Sequence, residues 1–492
     1  MNYVSTRLGR EGISASQAII NGLAPDGGLY VPDEIPQISM EFLRELADCD
    51  YRARAVKVLG LFLQEFSEEE LEQIAAASYA DNFDSAAIAP LHVLDDSTGV
   101  LELWHGPTSA FKDMALQIMP RLLTASLRKN GEQRTVSILV ATSGDTGKAA
   151  LEGFRDVPGT RIMVFYPRDG VSQIQKLQMA TQEGGNVNVT AVNGNFDDCQ
   201  TGVKKIFGDT DFAAKLNERG FFLSSANSIN WGRLVPQVVY YFSAYVDMVK
   251  AGKIAMGDKL DFCVPTGNFG NILAGWFAKR MGLPVGRFIC ASNDNNVLTD
   301  FISTGVFDKN REFYLTTSPS MDILVSSNLE RLLYLLSGDA EQVAGFMKQL
   351  NTEGRYQVSE ELLAAVQAEF VGGCCTDAES HEEIARLWKQ GYLMDTHTAV
   401  ASAVLRDYRA KSGSTAPCVI VSTASPFKFG GAVLESIGCP SDEKGPALMD
   451  ALTAATGVAA PKPLASLAGK AVRFEQWVEI PAMEDAVAAF LS

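Results

Sequence analysis

The stretch TVSILVATSGDTGKAA (135–150) joins a run of β-branched and aliphatic residues to a short polar turn and an alanine-rich segment. An apolar run of this kind predicts a strand that is buried on both faces, over 135–141. The glycines of the turn SGDTG allow a sharp change of direction, and we expect a helix from about Lys148. Such a unit, strand then turn then helix, is the repeating element of α/β proteins.

The same order of elements recurs along the chain. Further strands are predicted at 161–167, 187–194, 221–227, 261–267, in GRFICASN (286–293) and in CVIVSTAS (418–425). Because these runs are apolar throughout and helical patterns separate them, we predict open, mostly parallel sheets with helices on both faces.

A chain of 492 residues exceeds what one hydrophobic core usually holds, so two or three domains are expected. We predict a mainly helical N-terminal domain over 1–95, in which EEELEQIAAASYA is one of the helices. A smaller α/β lobe would follow over 96–245. A larger α/β lobe would cover 246–492, with a helical insertion at about 306–390.

Composition excludes several classes of function. The formal net charge is −17, whereas proteins that bind nucleic acids usually present a basic face. Any anionic ligand must therefore be held by local groups, such as helix N-termini or a single arginine. The four histidines and eight cysteines lack zinc-site spacings, so we expect no metal. Scattered apolar cysteines, without a signal segment or a membrane-spanning run, predict a cytoplasmic protein.

Three strand-to-helix junctions carry groups suited to anions, and ligands of open α/β sheets bind at the carboxyl ends of strands. The first, SGDTG (143–147), places Ser143, Asp145 and Thr146 before a helix, where amides and hydroxyls suit a carboxylate or phosphate. Its glycine spacing excludes a nucleotide-binding P-loop. An ordinary glycine-bearing turn is the alternative.

The second junction, PTGNFGNILAG (265–275), lies between a strand and a helix. The residues that would form a cradle of amide groups are Gly267, Asn268, Phe269, Gly270 and Asn271. The pattern does not match G-x-G-x-x-G, so it does not support a dinucleotide site.

The third junction, SSANSINWGR (224–233), presents Asn227 and Ser228 at the end of a strand, with Arg233 one turn into the next helix. These side chains could bind a second anion. The alternative is a helix N-cap cluster with a surface arginine.

HGPTSAFKDMA (105–115) places Lys112 at the start of an apolar segment, although a lone lysine usually extends its amine into solvent. A phosphorylated cofactor that supplies its own electrophile would account for both the junctions and the lysine. Pyridoxal phosphate requires a lysine for its Schiff base, a phosphate cradle and a partner for its ring nitrogen. Phe111 would favour the neutral amine by desolvation. We expect His105 and His397 to be packed, hydrogen-bonded histidines.

Six motifs, together with APDGGLYVPDEIP (24–36), resemble the threonine synthase family over nearly the whole chain. They are HGPTSAFKDMA, SGDTG, SSANSINWGR, PTGNFGNILAG, SPSMDILVSSNLERLL and STASPFKF, the fifth being similar to the longer, microbial-type branch. The resemblance implies the tryptophan-synthase-β-like fold (fold type II) of pyridoxal phosphate enzymes. It implies a carbon–oxygen lyase that converts O-phospho-L-homoserine and water to L-threonine and phosphate, by γ-elimination and β-addition. That reaction is the last step of threonine biosynthesis.

The resemblance also implies roles for individual residues. Lys112 would be the Schiff-base lysine and proton shuttle, and Thr423 would hydrogen-bond the pyridine nitrogen. The cofactor phosphate would be bound by the backbone amides of Gly267, Asn268, Phe269 and Gly270. The substrate carboxylate or a cofactor oxygen would be held by Ser143, Asp145 and Thr146. The substrate phosphate would be bound by Asn227, Ser228 and Arg233. Ser425 stands where the family often has histidine, and we assign it no role.

Two other functions are left open by the sequence: a serine/threonine dehydratase of the same fold, and a non-catalytic protein that binds anionic metabolites. A dehydratase substrate lacks phosphate and would not need a second anion site around Arg233. A binding protein would not need Lys112. The predicted partner is a small-molecule substrate, without nucleic acid or membrane, bound by a monomer or homodimer.

Overall fold

The computed structural model describes residues 1–9, 11–142, 144–169 and 171–492. Its strands in chain order are β1 Tyr3–Ser5, β2 Tyr30–Pro32, β3 Leu91–Val93, β4 Thr98–Glu102, β5 Thr135–Ala141, β6 Thr160–Pro167, β7 Val187–Val192, β8 Phe221–Ser224, β9 Leu260–Pro265, β10 Val285–Ser292, β11 Val306–Asp308, β12 Arg355–Gln357, β13 Phe370–Cys374, β14 Cys418–Ser422 and β15 Trp477–Val478. All seven apolar runs predicted as strands contain one, namely β5, β6, β7, β8, β9, β10 and β14.

The helices are α1 Ala15–Asn21, α2 Met40–Asp48, α3 Tyr51–Phe62, α4 Glu68–Ser78, α5 Asp113–Leu116, α6 Met119–Lys129, α7 Asp145–Phe154, α8 Gln173–Ala180, α9 Phe196–Gly208, α10 Thr210–Glu218, α11 Trp231–Lys250, α12 Gly270–Met281, α13 Val297–Thr304, α14 Leu329–Ser337, α15 Ala340–Thr352, α16 Glu360–Glu369, α17 Asp377–Trp388, α18 Thr396–Ser412, α19 Gly430–Ser436, α20 Pro446–Thr456, α21 Lys462–Ala465 and α22 Met483–Phe490. Short 3-10 turns include Pro319–Met321 and Pro426–Phe429. Helix α7 begins at Asp145, earlier than the expected Lys148, because the polar turn itself supplies its first residues.

Two sheets form the framework. The larger has the strand order β13–β10–β9–β14–β4–β3, parallel except for the antiparallel pair of β3 and β4. The smaller is parallel throughout, in the order β15–β7–β6–β5–β8. Every residue of β9 and β14 is buried, as expected for strands covered on both faces. The predicted fold class is thereby confirmed.

The sheets do not divide the chain at the predicted boundaries. Strand β4 lies within the predicted smaller lobe (96–245), yet it pairs with β14 of the larger sheet. Strand β15 lies within the predicted larger lobe (246–492), yet it extends the smaller sheet beside β7. Strand β15 has only two residues, Trp477 and Val478, and β4 pairs with a strand from a distant part of the chain, so the positions of both follow from distant pairing. Similarly, the predicted insertion at 306–390 contains β13, an edge strand of the larger sheet.

Helix α11 is the long buried helix that packs against α3, α12 and α2. It is apolar around almost its whole circumference, which is the pattern of a helix enclosed by other elements. Its first turn carries Arg233, so the burial of α11 also draws that arginine inside the protein.

Helices α5 and α7 approach closely beside Lys112. A Cβ atom at Gly153 of α7 would lie 1.8 Å from the carbonyl oxygen of Leu116 in α5, so only glycine permits this packing. The contact fixes the helix that directly follows Lys112 against the helix that begins at Asp145.

None of the helices in the described ranges combines the length and apolar composition required to span a bilayer.

Candidate active site

The side chain of Lys112 lies at the centre of a polar cluster within the protein. Its Nζ donates a hydrogen bond to Ser320 Oγ at 3.2 Å and lies 3.7 Å from Asp145 Oδ2. The ring of Phe111 is also close, with 5.4 Å between Nζ and the ring centroid. Only 9% of Lys112 is exposed, so its amine is held by these few groups rather than by water.

The environment of Lys112 favours the neutral amine. Burial lowers the pKa of Lys112 to about 8, and repulsion from Arg233 and Lys428 acts in the same direction, while Asp145 opposes it. A buried amine whose pKa is near neutrality is suited to nucleophilic attack and to proton transfer.

Asp145 is the charge partner of two lysines. Lys428 Nζ lies 2.6 Å from Asp145 Oδ1, and Gln175 Nε2 donates to the same oxygen at 2.9 Å. Burial acts to raise the pKa of Asp145, but Lys428 and then Lys112 outweigh it and hold that pKa well below its usual range. The side chain is therefore a permanent carboxylate, available to orient cations but not to accept protons near neutral pH.

The loop before Lys112 is attached to the end of β14. Phe111 N donates to Thr423 O at 2.8 Å, and Ser425 N donates to Ser109 O at 3.1 Å. Ala110 and Ala424 form an isolated antiparallel bridge between them. These bonds place Thr423 beside the lysine loop, with its hydroxyl bonded to no described residue and its side chain largely buried.

Asp113, the residue after Lys112, stabilises the turn that precedes it. Its carboxylate accepts from Thr108 N at 2.8 Å and from Thr108 Oγ1 at 2.7 Å. Burial raises the pKa of Asp113 to about 7, although the Thr108 bonds act against it. These hydrogen bonds stabilise the turn at 108–113, which contains Lys112.

The junction between β9 and α12 presents free amide groups. Within the described residues, no protein acceptor bonds to the backbone N–H groups of Gly267, Asn268, Phe269 or Gly270. Phe269 has a left-handed φ of 62° while its side chain is buried, so the backbone is turned at a cost that bulky residues seldom bear. A Cβ at Gly267 would lie 3.0 Å from Ser320 O. A run of unpaired amides at a helix start is an anion cradle.

Asn271 anchors this cradle to α11. Its Oδ1 accepts from Tyr240 OH at 2.6 Å and from Tyr241 OH at 2.8 Å. Its Nδ2 is buried and has no partner within the described part of the chain. This buried donor is available to a ligand of the cradle.

Asn328 joins the second and third junctions. Its backbone N and Nδ2 both donate to Asn268 O, at 3.1 and 3.0 Å, and Nδ2 also donates to Ser228 Oγ at 3.0 Å. The buried Arg331 donates to Asn328 Oδ1 at 2.5 Å and to Ile229 O at 2.6 Å. The two loops are thus fixed to one another through α14.

Arg233 is a buried cation without an anionic partner among the described residues. Its Nη1 donates to Ala226 O at 2.8 Å. Burial lowers the pKa of Arg233 to about 10, although the side chain still carries a charge at neutral pH. A buried arginine that is left without a carboxylate is costly unless a ligand pairs with it.

The structure therefore brings together Lys112, Asp145, Thr423, Arg233 and, through Asn328, the second and third junctions. Ser143 lies outside the described residues. Thr146 is half-buried in the first turn of α7, and Asn227 bonds only within its own loop, by N to Ser225 Oγ.

The sequence reasoning missed four residues of this cluster: Gln175, Ser320, Asn328 and Lys428. Ser320 and Asn328 belong to SPSMDILVSSNLERLL, and Lys428 belongs to STASPFKF. Both motifs were singled out as family-like, so the signal was present but was not assigned to these side chains. Gln175 had no signal beyond its place in a helix.

Both histidines singled out from the sequence are hydrogen-bonded. His105 contacts Asp84 Oδ1 at 2.5 Å and Glu102 Oε2 at 2.9 Å, and these bonds raise its pKa to about 9 against the effect of burial. His397 is paired with Asp395. Among the described side chains, no group of three or more His, Cys, Asp or Glu residues is placed to hold a metal ion.

Comparison with protein families gives three matches along the chain. Residues 2–79 match the model "Threonine synthase N terminus", residues 100–424 match "Pyridoxal-phosphate dependent enzyme", and residues 398–490 match "Threonine synthase, C-terminal". Together they cover nearly all of the chain in the order expected from the motifs.

Individual relatives agree with the family matches. The chain is 39% identical to threonine synthase of Pseudomonas aeruginosa over 436 residues, which is 88% of this chain and 90% of that protein. It is 42% identical to Homo sapiens threonine synthase-like 1 over 434 residues, 86% of this chain. The match spans only 58% of the length of that human protein. Among solved structures, that of pyridoxal-phosphate-bound threonine synthase from Brucella melitensis aligns with a TM-score of 0.86 and 40% identity, over 100% of this chain and 99% of that one.

Proposed function

The chain belongs to the threonine synthase family of pyridoxal-phosphate-dependent enzymes, and we propose that it converts O-phospho-L-homoserine and water to L-threonine and phosphate. This activity is that of a carbon–oxygen lyase acting on phosphate, at the last step of threonine biosynthesis. The observation that carries the proposal is the pairing of a buried, low-pKa lysine with a separate buried arginine that lacks an anionic partner among the described residues.

The residues present fit pyridoxal phosphate. The amides of the Gly267–Gly270 loop and Nδ2 of Asn271, which have no acceptor among the described residues, suit its phosphate. The Thr423 hydroxyl, for which the described part of the chain offers no partner, suits the ring nitrogen. Lys112 would hold the cofactor covalently through Nζ.

When bound, the cofactor takes up the negative charge that develops at the substrate Cα as a proton leaves. Lys112 Nζ, whose pKa is about 8, is suited to remove and return protons at neighbouring carbons. Asp145, held as a carboxylate by Lys428, orients the Lys112 amine without competing for its proton.

The proposed substrate brings a phosphate of its own, in addition to that of the cofactor, and Arg233 is the candidate site for it. Its guanidinium would pair with the substrate phosphate, with Asn227 and Ser228 as further donors from the same junction. Charge grows on this group as the carbon–oxygen bond breaks, so a buried cation there stabilises the transition state more than the bound substrate. The roles of Ser143, Asp145 and Thr146 toward a substrate carboxylate or cofactor oxygen are part of the same proposal.

Neither alternative function is favoured. A dehydratase substrate has no phosphate, and would leave Arg233 buried without a counter-charge. A non-catalytic binding protein has no use for an amine that burial and neighbouring cations hold near neutrality. We also propose that the protein is cytoplasmic and is a monomer or homodimer. The cytoplasmic location is supported by eight free cysteines, Cys374 and Cys375 among them.

One experiment tests the proposal directly. The visible spectrum of the purified protein is recorded before and after O-phosphohomoserine is added, and phosphate and threonine are assayed in the same sample. We expect a cofactor band that shifts with substrate, with both products formed in equal amounts. A band without phosphate release would favour the dehydratase, and no band after cofactor is supplied would favour a binding protein.

Lys112→Ala is the matched variant for this experiment. We expect it to fold but to hold no cofactor that borohydride can trap on the chain. Covalent trapping on a different lysine would contradict the assignment of Lys112.

A further inference from the structure

Ser320 is the hydroxyl partner of the Lys112 amine. It lies in the short 3-10 turn Pro319–Met321, and its Oγ accepts from Lys112 Nζ at 3.2 Å. The same hydroxyl can donate to Asp145 Oδ2 at 3.4 Å. Ser320 thus lies between the amine and its carboxylate, which are themselves 3.7 Å apart.

The backbone of Ser320 is held by a buried histidine. Ser320 N donates to His397 Nε2 at 3.1 Å, so this ring nitrogen is an acceptor and the ring proton resides on Nδ1. His397 Nδ1 in turn lies 2.8 Å from Asp395 Oδ2. His397 and Asp395 are 2% and 0% exposed, and the ring of His397 packs on Phe429.

Asp395 is itself fixed. It is the N-cap of α18, where its carboxylate accepts from His397 N and Thr398 N. On the other side, Ser320 O lies only 3.0 Å from the position of a Cβ at Gly267. The turn that carries Ser320 is therefore confined between the start of α18 and the anion cradle.

From this chain of contacts we infer that Ser320 is an active-site residue that holds the Lys112 amine whenever that amine is not joined to the cofactor, and that the Asp395–His397 pair positions it. The inference rests on the proposed function only in taking Lys112 as the cofactor's lysine. Because Ser320 Oγ accepts from Nζ while it donates to Asp145, it stabilises the protonated amine and fixes its direction.

The test uses the cofactor-free protein, so that it does not depend on turnover. Trace labelling with acetic anhydride over a series of pH values, with the Lys112 peptide quantified by mass spectrometry, gives the reactivity and titration midpoint of this amine. In Ser320→Ala we expect the midpoint to fall by roughly half a pH unit, since the ammonium loses an acceptor while Asp145, Arg233 and Lys428 stay in place. Ser320→Thr, which retains the hydroxyl, should restore it.

His397 is tested by a double-mutant cycle. His397→Phe keeps a ring against Phe429 but removes both hydrogen bonds, and we expect the midpoint to shift in the same direction as in Ser320→Ala. Because His397 acts through Ser320, the double variant should show no further shift. His397→Gln, which keeps an acceptor for Ser320 N, should resemble the parent. Ser303→Ala is the matched control, because the hydroxyl of Ser303 has one partner among the residues described, Thr299 O in the same helix α13.

An unchanged midpoint in Ser320→Ala would overturn the role of Ser320. A full additional shift in the double variant would overturn the positioning role of His397. If Ser320→Ala fails to fold, Ser320→Cys serves in its place, since a thiol preserves the shape but is a weak acceptor. Failure of the proposed function is distinguishable from these results, because it would appear as missing phosphate and threonine in the product assay, whereas the labelling midpoint is measured on the cofactor-free protein.

In the enzyme with its cofactor bound, this role of Ser320 predicts an effect on kcat but not on KM. Ser320→Ala should lower kcat by about tenfold with little change in KM, as expected when one hydrogen bond to a reacting group is removed.

Discussion

Lys428 lies 2.6 Å from Asp145 Oδ1, while Lys112 lies 3.7 Å from the other carboxylate oxygen. Lys428 also donates to Thr108 O at 3.0 Å in the turn that precedes Lys112. Lys428 therefore binds both the carboxylate of Asp145 and the loop. Lys112 is only weakly paired with Asp145, so its amine remains available for chemistry.

Replacing Lys428 with glutamine should change both the site and the stability. The pKa of Lys112 should rise, because repulsion from Lys428 is lost and Asp145 can pair with Lys112 alone. The free energy of unfolding should fall by about 3 kcal/mol, since a buried carboxylate loses its close partner. Urea unfolding and the labelling midpoint of Lys112 measure the two effects.

The exposed Lys411, which pairs with Asp407, provides a control for Lys428→Gln. Lys411→Gln should leave the unfolding free energy nearly unchanged, as is usual for a surface ion pair. Equal effects of the two substitutions would show that the Lys428–Asp145 contact has no special role.

Incorporation of pyridoxal phosphate should depend on pH through Lys112. The neutral amine is the reactive form, and its pKa of about 8 is below the ordinary 10.5 because of burial. The rate at which the cofactor-free protein acquires the lysine-linked absorption band should therefore rise through about pH 8. A rate that rises only near pH 10.5 would show that Lys112 is solvated in the free protein.

The same pKa shift predicts the pH dependence of stability. Between about pH 8 and 10.5 the folded protein binds fewer protons at Lys112 than the unfolded chain, so this residue makes stability rise with pH across that window. Below pH 8 the full cost of burying the ammonium is present. The difference in unfolding free energy between the parent and Lys112→Met should thus shrink or reverse as pH rises, whereas a constant difference would rule out a titration of Lys112.

Local patterns were sufficient to predict much of the framework. The strands at 135–141 and 261–267 are runs of apolar residues whose burial on both faces is their main requirement, so their sequence specifies them. Strand β15 and the pairing of β4 depend on partners hundreds of residues away, and no local pattern encodes a distant partner. The sheets cross the boundaries drawn from the sequence at these places for that reason.

Of the residues in the candidate active site, some were likewise identified from the sequence and others were missed. Lys112 was identified because a lysine at the start of an apolar segment is conspicuous in a sequence, and Arg233 because it follows a polar strand-to-helix junction. Ser320 and Lys428 were missed as individual residues, since a serine and a lysine near glycine and proline are common on surfaces. Their importance arises only when the turn at 319–321 and the end of β14 reach the lysine loop.

Arg233→Met should separate stability from function. Removing a buried cation that has no anionic partner among the described residues should leave the stability of the ligand-free protein unchanged or raise it, because its desolvation cost disappears. Turnover of O-phosphohomoserine should fall by a factor of about 100 or more, since charge on the leaving phosphate is no longer stabilised. Thermal unfolding, cofactor titration and product assays measure these quantities.

Arg331 provides the contrast to Arg233, because it is equally buried but bonds to Tyr30 O, Ile229 O and Asn328 Oδ1. Arg331→Met should lower stability. If Arg233→Met instead lowered stability and cofactor affinity together, Arg233 would be a structural residue like Arg331.

Asn328→Asp should weaken cofactor and substrate binding together. The amide Nδ2 now donates to Asn268 O and Ser228 Oγ, whereas a carboxylate would repel the carbonyl and add negative charge between two anion sites. We expect cofactor affinity to fall by about tenfold or more, and KM for the phosphorylated substrate to rise, while the charge-neutral Asn328→Ala should affect both less. Equilibrium titration with pyridoxal phosphate and steady-state kinetics measure the two effects. A loss confined to one ligand would mean that the loops at 224–233 and 265–275 are held independently, and that α14 does not couple them.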